Sequence, residues 1–246
     1  LFSKNKYLHV LKNINFNLIQ GSTLGIVGES GCGKSTLCRT ILSLNNKETG
    51  NIKWFNKDID QFSNKELKNF RKKVQIIFQD PYGSLNPRMT IGNIISEPLE
   101  IYKKENDKKT KTLKVLDIMD KVGLSDLLFN RFPHELSGGQ CQRVGIARSI
   151  INEPDVLICD EPVSSLDLSV QSQILDLLKS LKNTLNITMV FVSHDLAVVK
   201  SISDEVMVLK QGEIVEKSSA EEVFNNPKNE YTKKLISSVP RINNIG

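Results

Sequence analysis

Cysteines are few in this sequence, and no long apolar run interrupts it. Among 246 residues there are four cysteines, one tryptophan and three histidines. Cys32, Cys38, Cys141 and Cys159 show no C-x-x-C pairing, which argues against both a disulfide framework and a cysteine-built metal site. They are expected to be reduced thiols of a cytosolic protein. No stretch reaches the ~18 consecutive apolar residues of a membrane span, and no signal-peptide pattern is visible. The chain starts at Leu1 rather than Met, so a few native N-terminal residues are expected to be missing. The formal net charge is +5, yet the lysines are scattered. One cluster (Lys103, Lys104, Lys108, Lys109, Lys111 and Lys114) is interrupted by Glu105 and Asp107 and lacks interleaved aromatics. It reads as a solvated helix face rather than a nucleic-acid site.

What is present starts with a glycine-rich run. Gly28-Glu29-Ser30-Gly31-Cys32-Gly33-Lys34-Ser35-Thr36 matches G-x-x-x-x-G-K-S/T. Leu24 to Val27 before it reads as a short buried strand. Thr36 to Leu44 after it reads as a helix with an apolar face at Leu37, Ile41 and Leu44. That strand–loop–helix context is what a phosphate loop needs. Glycines let the backbone wrap close to phosphate oxygens. The helix start offers free N–H groups and a partial positive charge to an anion. Lys34 is expected to reach the β- and γ-phosphates, and the Ser35 hydroxyl to take a place on Mg²⁺.

Along the rest of the chain, Tyr7 and Phe2 are candidates to stack on adenine. Ile14, Phe16 and Leu18 alternate with Asn15, Asn17 and Ile19, as in a half-buried strand. Asn51 to Phe55 reads as a strand. Ser63 and Glu66 form a capping box that opens a helix through Phe70. Val74 to Phe78 reads as a buried strand ending at Gln79, where ligands bind in α/β sheets; Gln79 is a candidate for contact with Mg²⁺ or an attacking water. From Asp80 to Arg88 the proline and glycine content breaks the chain. Thr90 then caps a helix, and Asp107 to Val122 fits another, with Leu113, Leu116 and Met119 apolar. Leu136-Ser137-Gly138-Gly139-Gln140 opens a further helix and is a second anion-binding helix start. Val156 to Cys159 is a central strand that delivers Asp160 and Glu161 at its C-terminal end. Asp160 is placed to organise Mg²⁺ through its water shell, and Glu161 to orient or deprotonate the attacking water. A helix from Ser169 to Leu185 follows. The strand Ile187 to Val192 ends at His194, a candidate γ-phosphate contact. Val206 to Leu209 and Ile214 to Glu216 form a hairpin, and two short helices close the chain.

This motif series resembles an ABC-type ATPase cassette, from about Leu11 to Val239 and in family order. The resemblance implies one cassette over residues 1–246. Its fold is α/β: a P-loop ATPase core with a mainly parallel sheet, an N-terminal antiparallel β part and a helical subdomain. Residues 1–79 and 153–209 would form the core, 80–152 the helical subdomain, and 210–246 a C-terminal hairpin and helices. Residues 78–89 and 161–167 and the ending from Tyr231 to Pro240 are similar to importer ATPases for oligopeptides, dipeptides and nickel or metal-chelate complexes. The Gly-Glu-containing segment of exporter cassettes is missing from Asn130 to Glu135. The end at Gly246, without the cysteine-containing tail of many peptide importers, tilts the reading toward shorter nickel or metallophore members.

The resemblance also implies ATP and Mg²⁺ as cofactors and a head-to-tail dimer. In that dimer, Ser137 and Gly139 of one cassette contact the γ-phosphate held by the other. Further partners would be two integral membrane permeases and, indirectly, an extracellular substrate-binding protein, which places the chain peripherally on the cytoplasmic face of the membrane. The competing reading is a non-transport ABC ATPase of DNA maintenance or translation. Against it stand the lack of sustained heptads between phosphate loop and Ser137 and the presence of one cassette rather than two.

Overall fold

Five consecutive buried residues in each of three strands organise the molecule: β1 (Thr23–Val27) and the later strands at Val156–Asp160 and Thr188–Val192. The computed structural model describes residues 9–102 and 107–238. After β1 come α1 (Lys34–Ile41), the short strands β2 (Lys53–Trp54) and β3 (Lys57–Asp58), α2 (Asn64–Lys73) and β4 (Val74–Ile77). A run of helices follows: α3 (Ile91–Ile101), α4 (Lys108–Lys121) and α5 (Gly138–Ile150). Then come β5 (Val156–Asp160), α6 (Leu168–Leu185), β6 (Thr188–Val192), α7 (Leu196–Ile202), β7 (Glu205–Lys210), β8 (Glu213–Ser219), α8 (Ala220–Asn225) and α9 (Glu230–Ser237).

The main sheet has the order β4-β5-β6-β1-β7-β8, parallel throughout except for the antiparallel β7–β8 pair. A separate antiparallel pair, β2–β3, precedes α2. Because side chains alternate along a strand, each strand feeds two cores. Ile158, Val190, Val192 and Met207 pack on one side with Leu37, Cys38 and Phe70 of α1 and α2. Leu157, Cys159, Met189 and Phe191 face the other way and join α3–α8. Strands covered on both faces read as continuous apolar runs, which is why β5 and β6 are so plain in the sequence. All four cysteines are buried free thiols. Burial pushes the Cys38 and Cys159 thiols upward, with Asp160 adding to the effect, and pushes Cys141 up to about 11.

Several expectations change. Residues 9–19 carry no strand, although Ile14, Phe16 and Leu18 are half-buried and the residues between them exposed. Their alternation packs them beneath the β1 core without a ladder partner. Leu44 and Leu113 are 55% and 59% exposed. In α1 the apolar face uses Leu37 and Cys38, because the helix ends at Ile41 and Leu44 lies past its last turn. In α4 it uses Val115, Ile118 and Met119. Helix α7 (Leu196–Ile202) adds to the elements expected from the sequence. Asp195 caps it, accepting from the Ala197 and Val198 amides.

Helix α7 also lies very close to β1. A Cβ added at Gly25 would collide with the Ser203 hydroxyl and sit 2.5 Å from Val199 Cγ1. Gly25→Val is therefore expected to destabilise the chain by about 1–3 kcal/mol through overpacking. That corresponds to a loss of roughly 2–4 °C in Tm for each kcal/mol in a domain of this size. A thermal melt that matches the parent chain would contradict this packing.

Candidate functional site

Strands β4, β5, β6 and β1 lie side by side and parallel, so their C-terminal ends open on one edge, where ligands bind in open α/β sheets. β1 delivers the glycine-rich loop to that edge. At Gly28 a side chain would run into the Leu209 carbonyl oxygen of β7, so the loop can turn tightly over the sheet only without one. Gly33 has φ of 109° and occupies the cap position of α1 with no capping side chain. The first N–H groups of α1 thus stay available to an anion.

Lys34 is only 6% exposed. Its Nζ donates to the carbonyls of Gly28 at 2.8 Å and Glu29 at 3.0 Å, with Cys32 Sγ at 3.9 Å. The loop is braced from behind: Gly212 N donates to Cys32 O at 2.9 Å, and Lys12 N to Gly212 O at 2.7 Å. The Glu29 amide donates to the hydroxyl of Tyr231 at 3.2 Å.

β5 ends on the two carboxylates. Asp160 Oδ1 accepts from Ser35 Oγ at 3.1 Å. Burial raises the Asp160 carboxyl above the usual range; Glu161 adds to this, while the Ser35 hydrogen bond, Arg39 and Lys34 act against it. A carboxylate held at that cost gains from a nearby cation. Glu161 has φ of 51°, a left-handed conformation that a residue with a Cβ holds only when its surroundings enforce it. Here the Glu161 amide donates to Val192 O of β6 at 3.0 Å. The turn aims the side chain along the sheet edge. Its Oε2 accepts from Gln79 Nε2 at 3.1 Å and lies 3.2 Å from His194 Nδ1.

These side chains share one cleft of about 320 Å³. Its lining comprises Ser30, Gly31, Gly33, Lys34, Ser35, Thr36, Gln79, Glu161, His194 and Val10. Gly28, Glu29 and Cys32 shape the loop behind this lining, and Asp160 sits behind Ser35. Val10 is the residue the sequence did not point to; it carries no motif. Tyr7 lies outside the described residues. A larger hollow, about 710 Å³, is lined by Trp54, Phe55, Tyr102 and Lys65, Lys68 and Lys72 of α2. It holds none of the phosphate-loop or strand-end residues, so the chemistry favours the smaller cleft.

Ser137, Gly138, Gly139 and Gln140 are not in the cleft lining. They form the start of α5. Ser137 Oγ accepts from the Gln140 amide, and Gln140 Oε1 accepts from the Ser137 amide at 2.9 Å, a reciprocal cap. A Cβ at Gly139 would come within 2.6 Å of Val170 Cγ1 in α6. The Tyr82 hydroxyl donates to Leu136 O at 3.0 Å, tying this turn to the segment after Gln79.

Residues 11–164 match the family described as ABC transporter, and residues 215–245 match the oligopeptide/dipeptide transporter C-terminal region. The chain is 52% identical over 239 residues to the oligopeptide transport ATP-binding protein OppF of Haemophilus influenzae, covering 97% of this chain and 72% of that protein. It is 45% identical over 243 residues to the dipeptide transport ATP-binding protein DppF of Escherichia coli, covering 99% of this chain and 72% of that protein. A dimeric, post-hydrolysis structure of the ATP-binding cassette MJ0796 bound to ADP and Pi superposes with a TM-score of 0.79 at 30% identity, over 89% of this chain and 94% of that one. Since the match runs unbroken from the phosphate loop through Gln79 and the Ser137 turn to the carboxylates of β5, the chain belongs to the ABC transporter family and is an ATPase cassette of it.

Proposed function

We propose that this chain is the ATP-hydrolysing subunit of a peptide importer, peripheral on the cytoplasmic face of a membrane. Among the described residues no helix is long and apolar enough to cross a membrane, so permeation would fall to two integral membrane partners. An extracellular binding protein would supply the cargo. The C-terminal region match and the oligopeptide and dipeptide relatives favour peptides over nickel or metal chelates as cargo.

The convergence of Gln79 and His194 on the Glu161 carboxylate carries the catalytic reading. The cleft takes the triphosphate against the α1 start and Lys34. Mg²⁺ fits the oxygen pair of Ser35 and Asp160, since it favours hard oxygen donors and retains several waters; when bound, it neutralises charge on the β- and γ-phosphates. Gln79, which donates to Glu161 at 3.1 Å, would contact the ion's shell or the attacking water. Glu161 accepts a proton from that water. His194, beside Glu161 at 3.2 Å, would contact the γ-phosphate.

Ser137, Gly138, Gly139 and Gln140 stand outside their own chain's cleft, so their anion-binding helix start is free for the triphosphate of a second cassette, identical or paralogous. ATP would then bridge two positive helix ends that otherwise repel, and hydrolysis would release them. Motion would pass to the permeases through Gln79 and residues 80–98.

Affinity purification from native membranes tests the reading. Recovery with two integral membrane proteins, and peptide-stimulated ATP hydrolysis after reconstitution with them, is the expected result. Recovery with ribosomes or DNA instead would overturn it in favour of a non-transport ATPase.

A further inference from the structure

We propose that Tyr231 is a positioning residue for the phosphate loop, through which helix α9 sets nucleotide affinity. The inference rests on the reading of the cleft as an ATP site. Tyr231 and Glu29 are separated by 202 positions, yet the Glu29 amide donates to the Tyr231 hydroxyl at 3.2 Å. The same residue's carbonyl accepts from Lys34 Nζ at 3.0 Å. Glu29 is thus held at both ends of one residue, by a C-terminal hydroxyl on one side and by the phosphate-binding cation on the other. Releasing the amide frees the carbonyl that helps fix where Lys34 points.

The tyrosine is itself firmly placed. Lys210 Nζ lies 4.8 Å from its ring centroid, a cation–π contact. Asn229 caps α9, accepting from the Tyr231 amide at 2.8 Å. The Glu216 carboxylate of β8 accepts from the Lys228 amide at 2.8 Å and the Asn229 amide at 3.1 Å. The next residue, Thr232, is fully buried. Glu29 is the second residue of the loop, before the glycine whose conformation opens the α1 start. An amide there, tied to Tyr231, serves loop shape and leaves the helix-start amides to the phosphates.

All of these anchors except Lys210 lie within residues 215–245, the segment that matches the oligopeptide/dipeptide C-terminal region and lies outside the ABC transporter match. A transporter-class appendage thereby reaches the one loop that every cassette of the family needs for nucleotide.

The test compares the parent chain with Tyr231→Phe, which keeps the ring and its Lys210 contact and removes only the hydroxyl. ATP affinity is read by equilibrium binding on the full chain, and KM and kcat on the assembled transporter. Losing one hydrogen bond predicts roughly 3- to 10-fold weaker ATP binding, a matching rise in KM, and kcat within about twofold. In a Lys34→Ala background the same change should add little, because both act through Glu29. Unaltered ATP affinity in Tyr231→Phe, or full additivity with Lys34→Ala, would overturn the proposal while leaving the ATP site intact. Failure of the parent chain to bind ATP would instead overturn the reading on which it stands.

Discussion

E161Q is expected to keep ATP bound and to slow hydrolysis by about 10² or more, the scale of losing a positioned base. The substitution preserves size and the capacity to meet Gln79 and His194, which lie 3.1 and 3.2 Å from the carboxylate, but an amide accepts no proton from water. Glutamine also inherits the left-handed backbone at this position, φ 51°, without a β-branch to worsen it. Binding and turnover should therefore separate. ATP should convert the variant into a stable closed pair of cassettes, visible by size-exclusion chromatography, whereas the parent should form such a pair only transiently if the proposed closure holds. Phosphate release near the parent rate would remove Glu161 from the base role and leave it as a structural turn.

Lys34→Ala removes the cation expected at the β- and γ-phosphates. Hydrogen bonds to charged groups contribute about 1.5–3 kcal/mol each, so ATP affinity should fall roughly 10- to 100-fold. The variant also frees the Gly28 and Glu29 carbonyls that Lys34 now holds, so some loss comes from a looser loop. Circular dichroism and melting of the nucleotide-free variant separate this from misfolding. Affinity equal to the parent's would mean that the anion is bound by helix-start amides alone.

Features with local causes were legible in the sequence. The strand–loop–helix around Gly28 follows from an apolar run, glycines and a helix face within about two dozen residues. The box of Ser63 and Glu66 also forms, each side chain satisfying the other's backbone. Residues that wait on a distant partner were harder. Alternation at Ile14, Phe16 and Leu18 buries one side without a strand neighbour, because pairing is decided by what lies alongside. Leu113 is apolar by composition, but the helix rotation that buries Val115, Ile118 and Met119 turns it outward. Within the site, motif residues announced themselves, while Val10 and the Tyr231–Glu29 contact arise from chain segments with no shared pattern. Helix α7 was detectable: Asp195 followed by Leu196, Val199 and Ile202 has a cap and helical spacing.

The sheet order carries a consequence for biosynthesis. β1 is made early, yet its two hydrogen-bonded neighbours are β6 and β7, with Gly25 opposite Phe191 and Val206. Nearly two hundred residues must leave the ribosome before that strand can be flanked on both edges. At about 5–20 residues per second, the apolar segment that carries the phosphate loop stays unpaired for roughly ten seconds or more. Such late, long-range closure is slow and prone to association between nascent chains, so holdase chaperones that recognise bare apolar strands are expected to bind this protein during translation and to let go only once residues near Lys210 emerge.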